Sequence, residues 1–145
     1  MKILVQRVLS ASVSVGGKTV SAINKGLLLF VGVEKNDTPT AADYLVKKVA
    51  ALRIFEDENR KMNLSVKDVS GEILVVSQFT LAADLSRGNR PGFDTAAAPD
   101  EANRLYEYFV EQLKNTGVPL QTGVFQAEML VNLLNDGPCT FILQK

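Results

Sequence analysis

Leu27-Leu28-Leu29-Phe30-Val31-Gly32-Val33 carries no polar side chain at either parity, and it is too short for a helix of ordinary length. It reads as a central strand covered on both faces. After Glu72, Ile73-Leu74-Val75-Val76 is a second stretch of this kind and delivers Ser77-Gln78-Phe79-Thr80-Leu81 at its end. A buried strand surfaces there and presents polar groups. A second polar step between apolar runs, Asn135-Asp136-Gly137-Pro138-Cys139-Thr140, lies near the C-terminus. These two segments form the candidate site.

Upstream of the first buried run, Ile3–Val8 and Ala11–Val15 read as extended, with valines and serines alternating on opposite faces. Gly16-Gly17 makes a hairpin turn and Lys18–Ile23 returns. Downstream, Thr38 can cap free amides and Pro39 suits a first helical position. Ala42, Leu45, Val46, Val49 and Leu52 then form one apolar stripe. Arg53-Ile54-Phe55 reads as a short strand and Glu56–Lys61 as a solvated loop. Ala82–Ala98 is long, aperiodic and rich in Gly, Pro and Arg, with Arg87 and Arg90 as its cations; loops of this length often carry function. A second helix begins near Pro99-Asp100, buries Ala102, Leu105, Tyr106, Phe109, Val110 and Leu113, and stops at Asn115-Thr116-Gly117. Val118–Thr122, Met129–Leu134 and Thr140–Leu143 read as strands, the last two separated by a Gly137-Pro138 turn. The expected fold is one α/β domain over residues 1–145. A mixed, curved, barrel-like sheet carries two main helices on its outside.

The 145 residues fall within the size of one domain, and 46% hydrophobic content is enough for a real core. A single cysteine, Cys139, excludes an intrachain disulfide and a thiolate cluster. Flanked by apolar segments, it reads as a small buried hydrophobe rather than a nucleophile. The opening apolar run breaks at Gln6-Arg7, too soon for a signal-peptide core, and nothing approaches a membrane-spanning length. A soluble, cytoplasmic protein is expected.

The chain contains no histidine, which removes the usual general base near neutral pH and the commonest transition-metal ligand. Ser-His-Asp and Cys-His mechanisms are excluded. Net charge is formally zero and gives no global sign of nucleic-acid binding. Its distribution leaves a local basic face open, because residues 1–33 hold Lys2, Arg7, Lys18 and Lys25 with no acid.

The two site segments, together with Asn63-Leu64-Ser65-Val66, Gly88-Asn89-Arg90-Pro91 and Gly123-Val124-Phe125, resemble the D-aminoacyl-tRNA deacylase family in order and over essentially the whole chain. The resemblance implies a carboxylic ester hydrolase that acts on the 3′ end of D-aminoacyl-tRNA, and on glycyl-tRNA mischarged on tRNA(Ala). It implies a homodimer with sites at the interface, no cofactor and no metal. Thr80, Gln78 and Phe79 match the catalytic motif; Ser77, Met129, Gly137, Pro138 and Thr140 match substrate-binding positions. In the family the bond corresponding to Gly137-Pro138 is cis, and its carbonyls enter the partner's site as a filter against L-amino acids. A rigid backbone wall of that kind rejects every L side chain but leaves glycine, which has nothing to clash, as a leak.

From the residues themselves, Thr80 is either a nucleophile lacking a neighbouring base or a strand-end hydrogen-bonding group. The alternative chemistry uses the amides of Phe79 and Thr80, with the Gln78 side chain as donor, to stabilise an oxyanion, and a substrate hydroxyl to position water. Phe79 either stacks on the terminal adenine or fills core. Two other functions fit the same residues: a non-catalytic RNA-end-binding module, and a hydrolase of free D-amino-acid esters or peptides.

Overall fold

The computed structural model describes residues 1–86 and 88–145, so Arg87, one of the two loop arginines, lies outside the described residues. Eight strands and two helices follow in the order β1 (Lys2–Val15), β2 (Lys18–Ile23), β3 (Gly26–Gly32), α1 (Pro39–Ala50), β4 (Phe55–Glu56), β5 (Met62–Leu64), β6 (Glu72–Ser77), α2 (Pro99–Lys114), β7 (Leu120–Thr122) and β8 (Leu130–Gln144). A 3-10 turn, Phe79–Ala82, follows β6.

The two doubly apolar runs are neighbours in the middle of the sheet. β3 pairs with β6 in parallel, Val31 opposite Ser77, and β6 continues in parallel to β7. β1 is antiparallel to both β2 and β3 along one edge and to β8 along the other. The resulting mixed sheet curls nearly into a barrel. Side chains of one parity, including Leu27, Leu29, Val31, Ile73 and Val75, meet both helices. The other parity, Leu28, Leu74 and Val76, closes on Val8, Ala11, Val13 and Ile23 and on the half-buried Met129, Val131 and Leu133. Burial on both faces is why the alternation expected of a half-exposed strand is missing from β3 and β6.

Both helices follow their stripes. Thr38 caps α1 by accepting the Ala41 amide at 3.3 Å, and Ala42, Leu45, Val46 and Val49 are buried. α2 buries all six expected residues, and Gly117 takes φ +81° just beyond its end. The Gly16-Gly17 hairpin has φ of +56° and +78°, a left-handed pair that glycine adopts without steric cost.

The outer strands differ from the sequence reading. Ile3–Val8 and Ala11–Val15 are one strand, and the expected Gly137-Pro138 turn does not separate two strands. β8 instead runs through it, with Gln6 opposite Thr140 and Val8 opposite Asn135. The extra residues of β8 are expelled as a bulge while pairing resumes on either side. Two long antiparallel partners keep the ladder continuous across an irregularity that would end an isolated strand. The Gly137–Pro138 peptide within the bulge is cis. Among the described residues, no helix is long and apolar enough to cross a membrane.

Candidate active site

Because β3 and β6 are parallel, both deliver their carboxyl ends to one edge of the sheet, where ligands of α/β proteins commonly bind. A cavity of about 770 Å3 opens there, walled by Val31 of β3 and Val33 just beyond it, Val76 and Ser77 from β6, Ala102 and Tyr106 from α2, Phe125 and Met129 from the segment leading into β8, and Val131 of β8. Among the described residues its lining has no Asp, Glu, Lys or Arg. The Tyr106 hydroxyl donates to the Val75 carbonyl at 3.1 Å, and burial pushes its phenol far above the ordinary value. Among the described residues, no side chain of the wall is a general base suited to neutral pH.

The polar rim is Ser77-Gln78-Phe79-Thr80. The Gln78 amide closes onto the Val31 carbonyl at 2.8 Å, and the chain then turns into the 3-10 segment. Leu81 donates to the Gln78 carbonyl at 3.2 Å. The preceding amides, those of Phe79 and Thr80, lead the turn and have no acceptor within it. The Gln78 side-chain amide donates to the Thr80 hydroxyl. An amide cannot accept the Thr80 proton, so this contact orients the hydroxyl without activating it. Phe79 is 58% exposed, which removes the core-filling alternative.

Gly32 supports this rim from below. A Cβ there would lie 2.8 Å from the Leu81 Cβ and 3.0 Å from the Gln78 carbonyl oxygen, so the turn packs directly on a bare backbone. On the opposite wall, a Cβ at Gly123 would lie 2.7 Å from the Met129 sulfur, which also accepts the Val124 amide at 3.4 Å.

The second candidate segment is elsewhere in the chain. Gly137, Pro138 and Thr140 are exposed and outside the cavity wall. Arg7 fixes the bulge that carries them. Its guanidinium is 4% exposed and donates to the Ile54 carbonyl at 2.6 Å and to the Asp136 carbonyl at 3.1 Å, with the Asp136 carboxylate 2.9 Å away. The Asn135 side chain bonds the Arg7 carbonyl at 3.0 Å from the other side. Cys139 is 1% exposed, and burial raises its thiol pKa, as expected of a packing residue.

The sequence model of the D-Tyr-tRNA(Tyr) deacylase family matches residues 4–144. The chain belongs to this family. A D-aminoacyl-tRNA deacylase of Geotalea uraniireducens is 57% identical over 144 residues, which are 99% of this chain and 93% of that protein. A solved structure described as c-Myc DNA Unwinding Element Binding Protein has a TM-score of 0.95 at 42% identity, over 100% of this chain and 99% of that one. A probable eukaryotic D-amino acid tRNA deacylase has a TM-score of 0.81 at 16% identity, over 99% and 98% of the two chains, a likeness of fold alone.

Within this deacylase-family chain, one cavity gathers Ser77, Gln78, Phe79 and Met129, with Thr80 one residue beyond its wall. Three residues that matter to the geometry escaped the sequence reading. Arg7 was visible only as a cation, although it sits at a core-facing position of β1; a charge in an apolar run is the signal. Tyr106 read as part of a helix stripe, and Gly32 as an interior strand residue.

Proposed function

We propose that this protein hydrolyses the ester of D-aminoacyl-tRNA, and of glycyl-tRNA mischarged on tRNA(Ala), releasing the amino acid and tRNA. The observation that carries this reading is an apolar cavity without charged side chains among the described residues, whose polar rim offers the leading amides of a 3-10 turn. An ester under attack develops an oxyanion, and the Phe79 and Thr80 amides with the Gln78 side chain stabilise it without titrating. The substrate's vicinal ribose hydroxyl positions the water, so side-chain base chemistry is not required. Ser77 and Met129 contact the bound 3′ end.

Chiral selection follows from the Gly137-Pro138 segment acting on the partner's cavity. Its exposure outside its own chain's pocket is what an in-trans element requires. β8 supports self-association. Among the described residues it pairs with β1 and with no other strand, and it leaves Leu130, Leu134 and Ile142 at 75%, 56% and 72% exposure. Thr140 belongs to the same surface. The enzyme works in the cytoplasm, where charged tRNA is found.

Matched D-, L- and glycyl-tRNA incubated with chelator-treated protein test this reading. Hydrolysis of D and glycyl substrates with L spared is expected; equal rates on D and L refute the filter. No turnover, with stoichiometric protection of the ester, favours the RNA-end-binding alternative, to which the likeness to a protein named for binding DNA gives some support. Equally fast cleavage of free D-amino-acid esters identifies a small-molecule hydrolase.

A further inference from the structure

A second aromatic residue stands beside the rim without lining the cavity. The Phe93 ring centroid is 5.0 Å from that of Phe79, with the planes inclined at 50°, and the two side chains are 40% and 58% exposed. Phe93 belongs to the long loop after the 3-10 turn, and that loop is clamped. Asp84 and Gly92 exchange both main-chain hydrogen bonds, at 2.8 and 3.0 Å. Past Phe93, the Thr95 hydroxyl donates to the Ala82 carbonyl, and the Lys35 amide donates to the Thr95 carbonyl at 2.9 Å. Two large apolar rings are thus held in water, side by side, in a backbone that leaves them little freedom. Such an arrangement gives up exposed apolar area in the free protein and spares a ligand the ordering cost on binding.

We propose that Phe79 and Phe93 form a stacking platform for the penultimate base of the single-stranded CCA end. This rests on the deacylase reading above. With the terminal aminoacyl-adenosine filling the cavity, the strand leaves past Phe79, which belongs to both wall and rim, and the next base meets the tilted ring pair. Stacking tolerates any base because every base has a π face, so the platform holds the strand without reading its sequence. The exposed Arg90, three residues before Phe93, places a cation in the same loop for the flanking phosphate.

The experiment compares D-aminoacyl-tRNA, the same tRNA made abasic at the penultimate position, and 3′-(D-aminoacyl)-adenosine. Phe93→Ala is expected to lower kcat/KM on intact tRNA about ten-fold or more and to leave the aminoacyl-adenosine unchanged. The abasic substrate costs the wild type a similar factor, and Phe93→Ala then costs nothing further. Phe93→Leu, which keeps apolar packing in the loop, shows the same loss, whereas Phe93→Tyr retains activity. Equal losses on tRNA and aminoacyl-adenosine, or full multiplication of the variant and abasic effects, overturn the platform. A fluorescent base at the penultimate position of an uncharged CCA hairpin gives a readout independent of turnover. Quenching by wild type but not by Phe93→Ala supports stacking even if no ester is cleaved, and equal quenching by both refutes it.

Discussion

Removing the Arg7 guanidinium is expected to destabilise the fold more than any surface charge change. The group is 4% exposed and holds the Ile54 carbonyl, the Asp136 carbonyl and the Asp136 carboxylate together. Hydrogen bonds to a charged donor contribute about 1.5–3 kcal/mol each, but these share one group and are not additive. Leaving a buried acceptor unpaired costs about 1–3 kcal/mol, so stranding the Ile54 and Asp136 carbonyls together costs about 3–5 kcal/mol. Arg7→Ala is therefore expected to lose about 3–5 kcal/mol, a large share of the ~5–15 kcal/mol of a typical domain. At about 2–4 °C per kcal/mol, Tm falls by roughly 6–20 °C. Arg7→Lys keeps the charge but loses the fork that reaches two carbonyls, and it should lose about half as much. Asp136→Asn removes only a carboxylate whose side chain is 34% exposed, and it should cost less than about 1 kcal/mol. Guanidinium and thermal unfolding at one fixed protein concentration measure the series, because self-association would couple Tm to concentration. Since the same guanidinium holds the Asp136-Gly137 bulge, the D-over-L rate ratio of Arg7→Lys should also fall. A loss below about 1 kcal/mol for Arg7→Ala, or an inverted order in the series, would refute the clamp.

Thr80→Ala removes one hydroxyl contact and should lower kcat/KM roughly five-fold, corresponding to about 1 kcal/mol; a loss of several thousand-fold with tRNA binding intact would restore Thr80 as nucleophile. Gly32→Ala should leave a folded protein destabilised by about 1–3 kcal/mol, and kcat should fall by up to roughly 10²-fold as the rim turn shifts; unchanged kcat would show that the turn is not positioned by this contact. Across pH 5–8 the ratio of enzymatic to spontaneous ester hydrolysis should stay flat, because among the described residues the cavity wall holds no carboxylate, lysine or arginine; a protein inflection in that range contradicts main-chain catalysis. The Cys139 thiol pKa is raised mainly by burial. Its contribution to stability is fully present below the unfolded value of about 8.5 and is lost as pH rises through the folded one. Native protein should accordingly resist thiol reagents at pH 8 until denaturant is added, and rapid native labelling would place Cys139 at the surface.

The sheet centre and both helices were legible from local pattern. In β3, and in Ile73–Val76 of β6, every position is apolar because both faces are covered, and in α1 and α2 the stripe repeats because one face is. Those patterns report burial directly, so Leu27–Val33 and Leu105–Leu113 announced their places without reference to distant residues. The candidate rim was legible for a related reason: Ser77-Gln78-Phe79-Thr80 is a polar break at the end of a buried run.

What the sequence did not determine is what depends on a partner far along the chain. The single β8 strand exists because β1 supplies partners on both sides of the Gly137-Pro138 bulge, a pairing that runs from Lys2 opposite Gln144 to Ser14 opposite Leu130. Arg7 became a clamp only when Ile54 and Asp136 were brought to it, and Gly32 became a spacer only when the rim turn folded back over it. Phe93 gained its neighbour through loop hydrogen bonds to Ala82 and Lys35. Hydrophobic periodicity encodes which face of an element is buried; it does not encode which other element does the burying, and the site is made of those choices.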